Sequence, residues 1–306
     1  MGDRQLQSEF NEHKRAIAGL RRKAVILVVV GILLIAGALC MGRFLKSKGA
    51  SAIAVLMFVA GTGDLFAAGY VRIGANRRDR KRRQFAKDTI TAAALSEAFE
   101  DVEYAPDKAV SGSVIRTAGL IKRWDVQYGS DHVRGRYKGR VFAFSDVELM
   151  EEVETEDDEG RTKVSYYTCF KGQWIMIETN RDLPGELRLR EREKGNRAKS
   201  NMETENVAFN AKYQIEAKDA HSAFMMLTPH FMEAIVRADI LANGKTYIYF
   251  GGRYIHIAIH NNRNLFELSK KNQHADIAAM RACQKNEVKY ITDILDIFLL
   301  NTKLFG

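Results

Sequence analysis

Two apolar stretches decide the fold of this chain: residues 24–42, AVILVVVGILLIAGALCMG, and residues 49–71, GASAIAVLMFVAGTGDLFAAGYV. The first carries no charged side chain, and the second carries one, Asp64. A helix needs about 20 apolar residues to cross the hydrocarbon core of a bilayer, and both stretches meet that length. The first stretch is too long for the apolar region of a signal peptide, and a second stretch follows it at once. We therefore predict a hairpin of two transmembrane helices over residues 24–71.

Basic residues flank the predicted hairpin on both of its outer sides. Residues 1–87 hold 17 Lys and Arg against 5 Asp and Glu, whereas residues 88–306 hold 30 against 33. The high pI of the chain therefore comes from its N-terminal part, and a nucleic-acid-binding domain, which would carry its own basic face, is not expected. Loops on the cytoplasmic side of a membrane carry an excess of Lys and Arg. Because the outer flanks are more basic than the link at residues 43–48, both termini are predicted to be cytoplasmic.

A cluster of cations directly follows the second stretch, and we call it the basic collar: Arg72, Arg77, Arg78, Arg80, Lys81, Arg82 and Arg83. Near a membrane surface, anionic lipid headgroups attract each such cation by about 1 kcal/mol. The simplest role of the collar is to stop translocation of the second helix, and a specific lipid site is the alternative. In either case the lipid bilayer is a predicted partner.

Helical periodicity extends beyond the hairpin at both ends. Before the hairpin, a three- and four-residue spacing places on one helix face Leu6, Phe10, His13, Ile17 and Leu20. A similar spacing starts after the collar at Phe85. We predict a cytosolic amphipathic arm over residues 1–23 and, over residues 72–105, the collar followed by a second helical arm. The second arm should end before Pro106, because proline disfavours a helix at the residue that precedes it.

The remaining segment, residues 106–306, has the pattern of a cytosolic α+β domain with a mixed or antiparallel sheet and packed helices. Apolar and polar residues alternate in 246–250 and 254–260 around a glycine-containing link, which is typical of a β-hairpin. Thr228 followed by Pro229 predicts the start of a helix, with the threonine as its cap and the proline in its first turn.

Three more segments of this domain carry readable patterns. Residues 164–170 and 174–179 flank a short link that contains Gly172, which predicts a second hairpin. Residues 186–192 alternate leucine with charged residues, as in a half-exposed or edge strand. Residues 148–159 hold eight acids in twelve positions and predict a solvated loop or hairpin tip.

The cysteines and histidines do not form a recognisable site. Cys40, Cys169 and Cys283 are scattered and odd in number, so they predict no disulfide framework and suit a reducing compartment. His256 and His260 share a strand face, but four strand residues span about 13 Å, too far for one ion. No metal site, cofactor or catalytic residue is predicted, since the nucleophile, phosphate-loop and metalloprotease signatures are missing from the sequence.

Asp64 is the residue in the hairpin that requires an explanation. It lies eight residues before Arg72, about 12 Å into the membrane at 1.5 Å per residue. An ionised carboxylate at that depth is expensive, so it should be neutral, paired or turned toward a polar cavity. One interpretation is a hydrogen bond that joins the two helices near Gly61 and Gly63; the others are oligomerisation, and proton or ion handling.

Four stretches resemble a known family: GRYKGRVFAFSDVEL (135–149), CFKGQWIMIE (169–178), NVAFNAKYQIEAKDAHSAFMMLTPHFMEAI (206–235) and FGGRYIHIAIHNNRNLFEL (250–268). The chain resembles bacterial membrane proteins catalogued as domain-of-unknown-function family 3137. The resemblance implies two membrane helices followed by a cytosolic domain at a bacterial inner membrane. It also implies proximity to LemA-type membrane proteins as partners, and it implies no reaction.

We therefore expect a membrane-anchored binding or scaffold protein whose α+β domain recognises a protein or lipid partner at the inner membrane surface. The alternative is an oligomeric transporter accessory or channel-like component that uses Asp64, with homo-oligomerisation as a part of that hypothesis. An enzyme without a recognisable motif is the third hypothesis, and the chain is not expected to be an enzyme.

Overall fold

The computed structural model describes residues 3–44, 48–156, 161–193, 199–267 and 277–299. The chain divides into two units, Met1–Thr89 and Ile90–Gly306. The first unit is helical, and the second combines a sheet with helices, so the predicted α+β class is confirmed. Several predicted features lie outside the described residues, among them Lys46 of the link and the acids at 157–159.

The first unit is formed by α1 (Asp3–Phe44) and by α2 (Lys48–Ala98) up to Thr89. Both helices are long and apolar enough to cross a membrane, and only 17% and 11% of their most apolar windows are buried. Large apolar side chains are therefore exposed, including Leu56 at 73% and Phe66 at 82%. A helix in the core of a soluble protein buries such residues. The exposed surface of these helices is instead suited to lipid.

A stripe of buried residues lines the contact between α1 and α2 at every seventh position, and from residue 24 onward its members are alanine or glycine. The buried residues of this stripe are Phe10, Ile17, Ala24, Gly31 and Ala38 in α1, and Ala54, Gly61, Ala68 and Ala75 in α2. A Cβ atom added to Gly61 would lie 2.7 Å from the carbonyl oxygen of Gly31, and one added to Gly31 would lie 2.8 Å from that of Gly61. Glycine is required at both positions because the two backbones touch there. A seven-residue repeat is typical of helices that coil around each other with a left-handed twist.

The second unit is built on a sheet whose eight described strands run in the order β1-β2-β3-β4-β8-β7-β5-β6. Every pairing of neighbouring strands is antiparallel. The strands are β1 (Glu100–Ala105), β2 (Val126–Tyr137), β3 (Arg140–Glu156), β4 (Thr162–Glu178), β5 (Leu187–Glu191), β6 (Tyr213–Ala217), β7 (Lys245–Gly251) and β8 (Tyr254–His260). The antiparallel alternative of the predicted sheet is therefore correct.

Helices cover this sheet on both faces: α3 (Gly112–Ala118), α4 (Val207–Lys212), α5 (Ala220–Met226), α6 (Pro229–Ala242) and α7 (Ile277–Leu299). On one face, Phe144 and Ile257 belong to the same buried cluster as Ile235 of α6. On the other face, Trp174 is buried in a cluster with Ile115 of α3. The alternating side chains of the strands thus divide between two cores, as a period of two requires.

Two local predictions in this unit are confirmed. The hairpin predicted at 246–260 is formed by β7 and β8, with Ile255, Ile257 and Ile259 in the larger core. Helix α6 starts at Pro229, and the Thr228 side chain accepts a hydrogen bond from the backbone N–H of Phe231.

The hairpin predicted around Gly172 is wrong. Residues 162–178 form the continuous strand β4, which pairs with β3 along its whole length. Gly172 has a φ of +151°, and a Cβ atom there would lie 2.0 Å from the carbonyl oxygen of Ile259 in β8. The glycine is present because the backbone of a neighbouring strand approaches closely, and not because the chain turns.

The acidic segment predicted as a loop or tip belongs largely to β3, which continues to Glu156. Beyond Met150 this strand leaves β2 and pairs with the first residues of β4, as a two-stranded ribbon. The ribbon exposes Tyr166 and Tyr167 at 54% and 59% beside the acids of β3. Half of the prediction therefore stands, since Glu152, Glu154 and Glu156 are exposed, but their backbone is extended.

The end of one helix and the position of one strand also differ from the predictions. The helical arm predicted up to residue 105 is too long, because α2 ends at Ala98 and Glu100–Ala105 form β1. Pro106 ends a strand here, and the backbone before it pairs with β2. Strand β5 was predicted as a half-exposed or edge strand. It is half-exposed, since Leu187 and Leu189 are buried and the charged residues between and after them are partly exposed, but it lies between β6 and β7 and is not an edge.

Candidate functional site

Asp64 lies on α2 beside the glycine contact of the hairpin. Its side chain is half-buried. A Cβ atom added to Gly31 would lie 3.3 Å from the Cβ atom of Asp64. Within the described part of the chain, the carboxylate has no hydrogen bond and no ion pair. The nearby Thr62 hydroxyl donates instead to the carbonyl of Val59, 2.8 Å away in its own helix. The predicted hydrogen bond from Asp64 that would join the two helices is therefore not formed by these residues.

The basic collar contains a buried acid that the sequence analysis did not single out. Asp79 is 7% exposed and accepts hydrogen bonds from Arg82 and Arg83 at 2.8 Å and from Arg21 of α1 at 3.1 Å. Burial opposes ionisation of this carboxyl, but the hydrogen bonds and charges of Arg83 and Arg82 outweigh it and lower the pKa of Asp79. This ionic cluster links the two helices just outside the predicted spans.

Arg82 makes a second link between the helices. Its Nη1 donates to the carbonyl of Phe10 at 3.1 Å, and its guanidinium lies 4.1 Å from the centre of the Phe10 ring. A cation over an aromatic face contributes about 0.5–1 kcal/mol at an exposed site. Two collar residues, Arg82 and Arg83, are thus occupied within the protein and are not available as free lipid-binding cations.

The other collar residues are exposed: Arg72, Arg77, Arg78, Arg80 and Lys81. Among the residues that the structure describes, these cations have no hydrogen-bond or ion-pair partner. The collar therefore divides into an inner part that holds α1 and α2 together and an outer part that presents free positive charge.

A groove of about 470 Å³ runs between α1 and α2 beside the collar, and we call it the arm groove. Its apolar surface includes Phe10, Ile17 and Leu20, and its basic side includes Arg78 and Lys81. The volume lies in the range of sites that bind small molecules or peptide side chains.

One apolar wall of the arm groove is Phe85 of α2, whose side chain is 59% exposed. The sequence spacing placed Phe85 on the buried face of the second arm, but the neighbouring Ala86 is buried in its place. The small side chain of Ala86 continues the tight contact, and the large aromatic ring is left at the surface.

A polar cluster inside the second unit was also missed from the sequence. Lys212 at the end of α4 lies between two carboxylates, with its Nζ 2.5 Å from Asp239 and 3.4 Å from Glu191. Thr246 of β7 donates through its hydroxyl to Asp239 at 2.7 Å and through its backbone N–H to Glu191 at 2.9 Å. The cluster therefore joins α4, β5, α6 and β7.

Burial and neighbouring charges alter the titration of this cluster. Burial raises the pKa of Glu191, and Asp239 beside it raises that pKa further. Burial opposes the charge on Lys212, but hydrogen bonding and attraction to Asp239 and Glu191 outweigh it and raise the pKa of Lys212. The adjacent Tyr213 is fully buried, and no described residue accepts or donates a hydrogen bond at its hydroxyl.

The apolar residues of α6 alone would place Ile240 on its buried side. Ile240 is nevertheless 72% exposed, while the neighbouring Asp239 is 6% exposed. The usable signal was the spacing, because Asp239 follows Ile235 by four residues and Phe231 by eight, on the same helix face. A carboxylate on that face indicates a buried cation elsewhere in the chain.

The basic side chains of β5 have a structural role. Arg188 donates to the carbonyl of Ala118 at 2.8 Å, and Arg190 donates to those of Gly119 and Leu120 at 2.7 and 3.0 Å. These carbonyls stand at or just beyond the C-terminal end of α3, where helices leave unsatisfied acceptors and attract cations.

The histidines behave as core or surface residues. His256 is 4% exposed and accepts a hydrogen bond from Nε1 of Trp174 at 3.3 Å. Burial lowers the pKa of His256 to about 4. Over the described ranges, no group of three or more His, Cys, Asp or Glu side chains is arranged to hold a metal ion.

These features define a class of protein: an α+β protein whose N-terminal helices are suited to a membrane and carry a partly free basic collar. Within that class, residues 168–300 match the family described as "Protein of unknown function (DUF3137)", which supports the resemblance found in the sequence. No curated protein matches the chain.

Among solved structures, the chain is weakly similar to the crystal structure of the mycobacterial trehalose monomycolate transport factor A, TtfA. It is 14% identical, with a TM-score of 0.33, and the match covers 69% of this chain and 95% of that chain. A likeness of this size carries no argument about the fold or the function.

Proposed function

We propose that this chain is a membrane-anchored binding protein of the bacterial inner membrane. Residues 24–71 span the bilayer as a hairpin, both termini lie in the cytoplasm, and the second unit is presented there to a protein partner. The observation that carries the proposal is the exposure of the two apolar helices, whose most apolar windows are only 17% and 11% buried. Such surfaces are stable in lipid and unfavourable in water.

The use of polar groups in the second unit supports binding over catalysis. Two of the perturbed sites are satisfied by neighbouring groups: Lys212 lies between Glu191 and Asp239, and His256 accepts a hydrogen bond from Trp174. A catalytic site needs such groups to converge on an accessible pocket. Here the cluster around Lys212 joins α4 and α6 to the sheet, which suits a rigid domain that presents a surface.

The anchoring is tested by fractionating cells that express the full chain. The protein should stay in the membrane pellet after an alkaline carbonate wash and should enter the soluble phase only with detergent. A reporter active only in the cytoplasm, fused after Gly306, should be active, and a reporter active only outside the cytoplasm should be silent. Release by carbonate, or the reverse reporter pattern, would contradict the proposal.

A second candidate function follows from the carboxylate of Asp64, for which the described residues of the hairpin offer no partner. A half-buried acid of this kind would be stabilised by a polar group from another membrane helix, in an oligomer or a transporter complex. Replacing Asp64 by Asn should then alter the crosslinked species seen in native membranes. Thr62→Val, two residues away and hydrogen-bonded within its own helix, should not. An unchanged crosslinking pattern in D64N contradicts this candidate.

A further inference from the structure

We propose that the arm groove binds an acidic amphipathic helix of a partner protein. This inference rests on the proposed function and names the partner's chemistry. The groove is lined from Glu9 to Leu20 on α1, which corresponds to about 16 Å along the helix axis at 1.5 Å per residue. A helix of about three turns fills that length. Helices that dock in grooves do so through apolar residues spaced three and four positions apart.

The outer apolar end of the groove, at Phe10 and Phe85, lies too far from the predicted bilayer to be covered by lipid. Phe85 follows Val71, the end of the second predicted span, by 14 residues of the same continuous helix, about 21 Å. The headgroup layer extends only about 5–8 Å beyond the hydrocarbon core. An aromatic side chain that is 59% exposed at that height faces water unless a protein surface covers it.

The charges beside the groove select an acidic partner. Arg78 and Lys81 line it, are exposed, and are unpaired within the described ranges. Glu9 is the one acid among the lining residues. A second copy of this chain would bring its own basic collar toward the first, and like charges at an interface are repulsive. Acidic residues flanking an apolar stripe complement both features of the groove.

The test uses the full-length protein in nanodiscs of phosphatidylcholine, which carry no net charge. The probe is a fluorescent designed peptide of about 14 residues, with leucines at helical spacing and glutamates elsewhere. Its control keeps the leucines and replaces every glutamate by lysine. The anisotropy of the glutamate peptide should show saturable binding, and that of the lysine peptide should not.

A matched pair of charge reversals locates the site. R78E/K81E alters the groove, and R77E/R80E makes the same change of net charge on collar residues that do not line it. Because exposed charge pairs contribute modestly and reversal adds repulsion, we expect R78E/K81E to bind at least about tenfold more weakly than the wild type. R77E/R80E should stay within about threefold, since it changes only long-range attraction. F85A should also weaken binding, through the lost apolar contact.

Several results overturn the inference. The inference fails if the glutamate peptide does not bind the wild type, or if the glutamate and lysine peptides bind equally well. It also fails if both double variants weaken binding to the same extent. Preference for phosphatidylglycerol vesicles with loss in both double variants would assign the collar to lipid instead. Carbonate resistance and the reporter pattern are measured on the same wild-type chain. A failure of peptide binding with membrane anchoring intact therefore rejects the groove and leaves the proposed function standing.

Discussion

Replacing Gly172 by Ala should destabilise the second unit strongly. The new methyl group would lie 2.0 Å from the carbonyl oxygen of Ile259 and 2.9 Å from Oδ1 of Asn261. The side chain of Asn261 can move, but the carbonyl belongs to the backbone of β8, so the strands must separate. The φ of +151° is also a conformation that an L-residue with a side chain rarely adopts.

The magnitude follows from these two effects. A strained backbone conformation costs about 1–3 kcal/mol, and overpacking a closed site costs about 1–3 kcal/mol. The free energy of unfolding should therefore fall by about 2–6 kcal/mol. For a unit of this size, each kcal/mol corresponds to about 2–4 °C in melting temperature. Gly252→Ala is the control, because Gly252 has a φ of +56° and open space around it. It should cost only about 1 kcal/mol, from backbone strain alone.

The measurement is thermal unfolding of the full chain in detergent, followed by tryptophan fluorescence. The chain has two tryptophans, Trp124 and Trp174, and both are buried in the second unit, so the signal reports that unit alone. G172A should melt well below G252A. If the two variants melt within about 2 °C of each other, the close approach of β8 to Gly172 does not control stability, and the reasoning fails.

Three further predictions concern charged and titratable groups. Asp79→Ala leaves its arginine partners without an anion, so backbone amides near residue 79 in α1 and α2 should exchange hydrogen about tenfold faster. That corresponds to a loss of about 1.4 kcal/mol of local stability. Unchanged exchange would argue against the ionic cluster as a link between the helices. Because burial lowers the pKa of His256 to about 4, acid favours the unfolded state from about pH 6.5 down to that value, by up to about 3 kcal/mol. His256→Gln should remove this loss from the melting temperatures measured between those pH values, and an identical acid slope in both proteins would refute it. Lys212→Met should destabilise the unit by about 1–3 kcal/mol at pH 7 and by less in acid. The reason is the raised pKa of Glu191, because the folded state loses stability as the pH rises through that pKa. A loss of stability that is the same at pH 7 and in acid contradicts this account.

The features predicted correctly from the sequence are those in which burial is encoded by local periodicity. The hairpin of β7 and β8 alternates isoleucines with polar residues, and each set lies in the core that its parity requires. The start of α6 needs only Thr228 and Pro229, because a helix cap is completed within three residues. The apolar stretches at 24–42 and 49–71 likewise predict helices from length and composition, and they lie within α1 and α2.

The features that were missed depend on residues distant in the sequence. Gly172 looks like a turn locally, and only the position of Ile259, 87 residues later, shows that it serves a close approach. The buried Asp239 is acceptable only because Lys212 comes from another helix. Arg190 looked like a charged edge residue, but its partners are carbonyls at the end of α3. No local pattern contains these pairings.

The seven-residue stripe of α1 and α2 has a consequence for how this protein can change in length. Gly31 touches Gly61, Phe10 contacts Arg82, and 21 residues, three full repeats, separate the two contacts on each helix. The seven-residue repeat therefore continues without a shift in register from the lipid-suited part into the charged arms. Inserting one residue between them would rotate everything beyond it by about 100° and turn Arg82 away from its partner. Evolution and protein engineers alike can lengthen this hairpin in steps of seven, added to both helices at once.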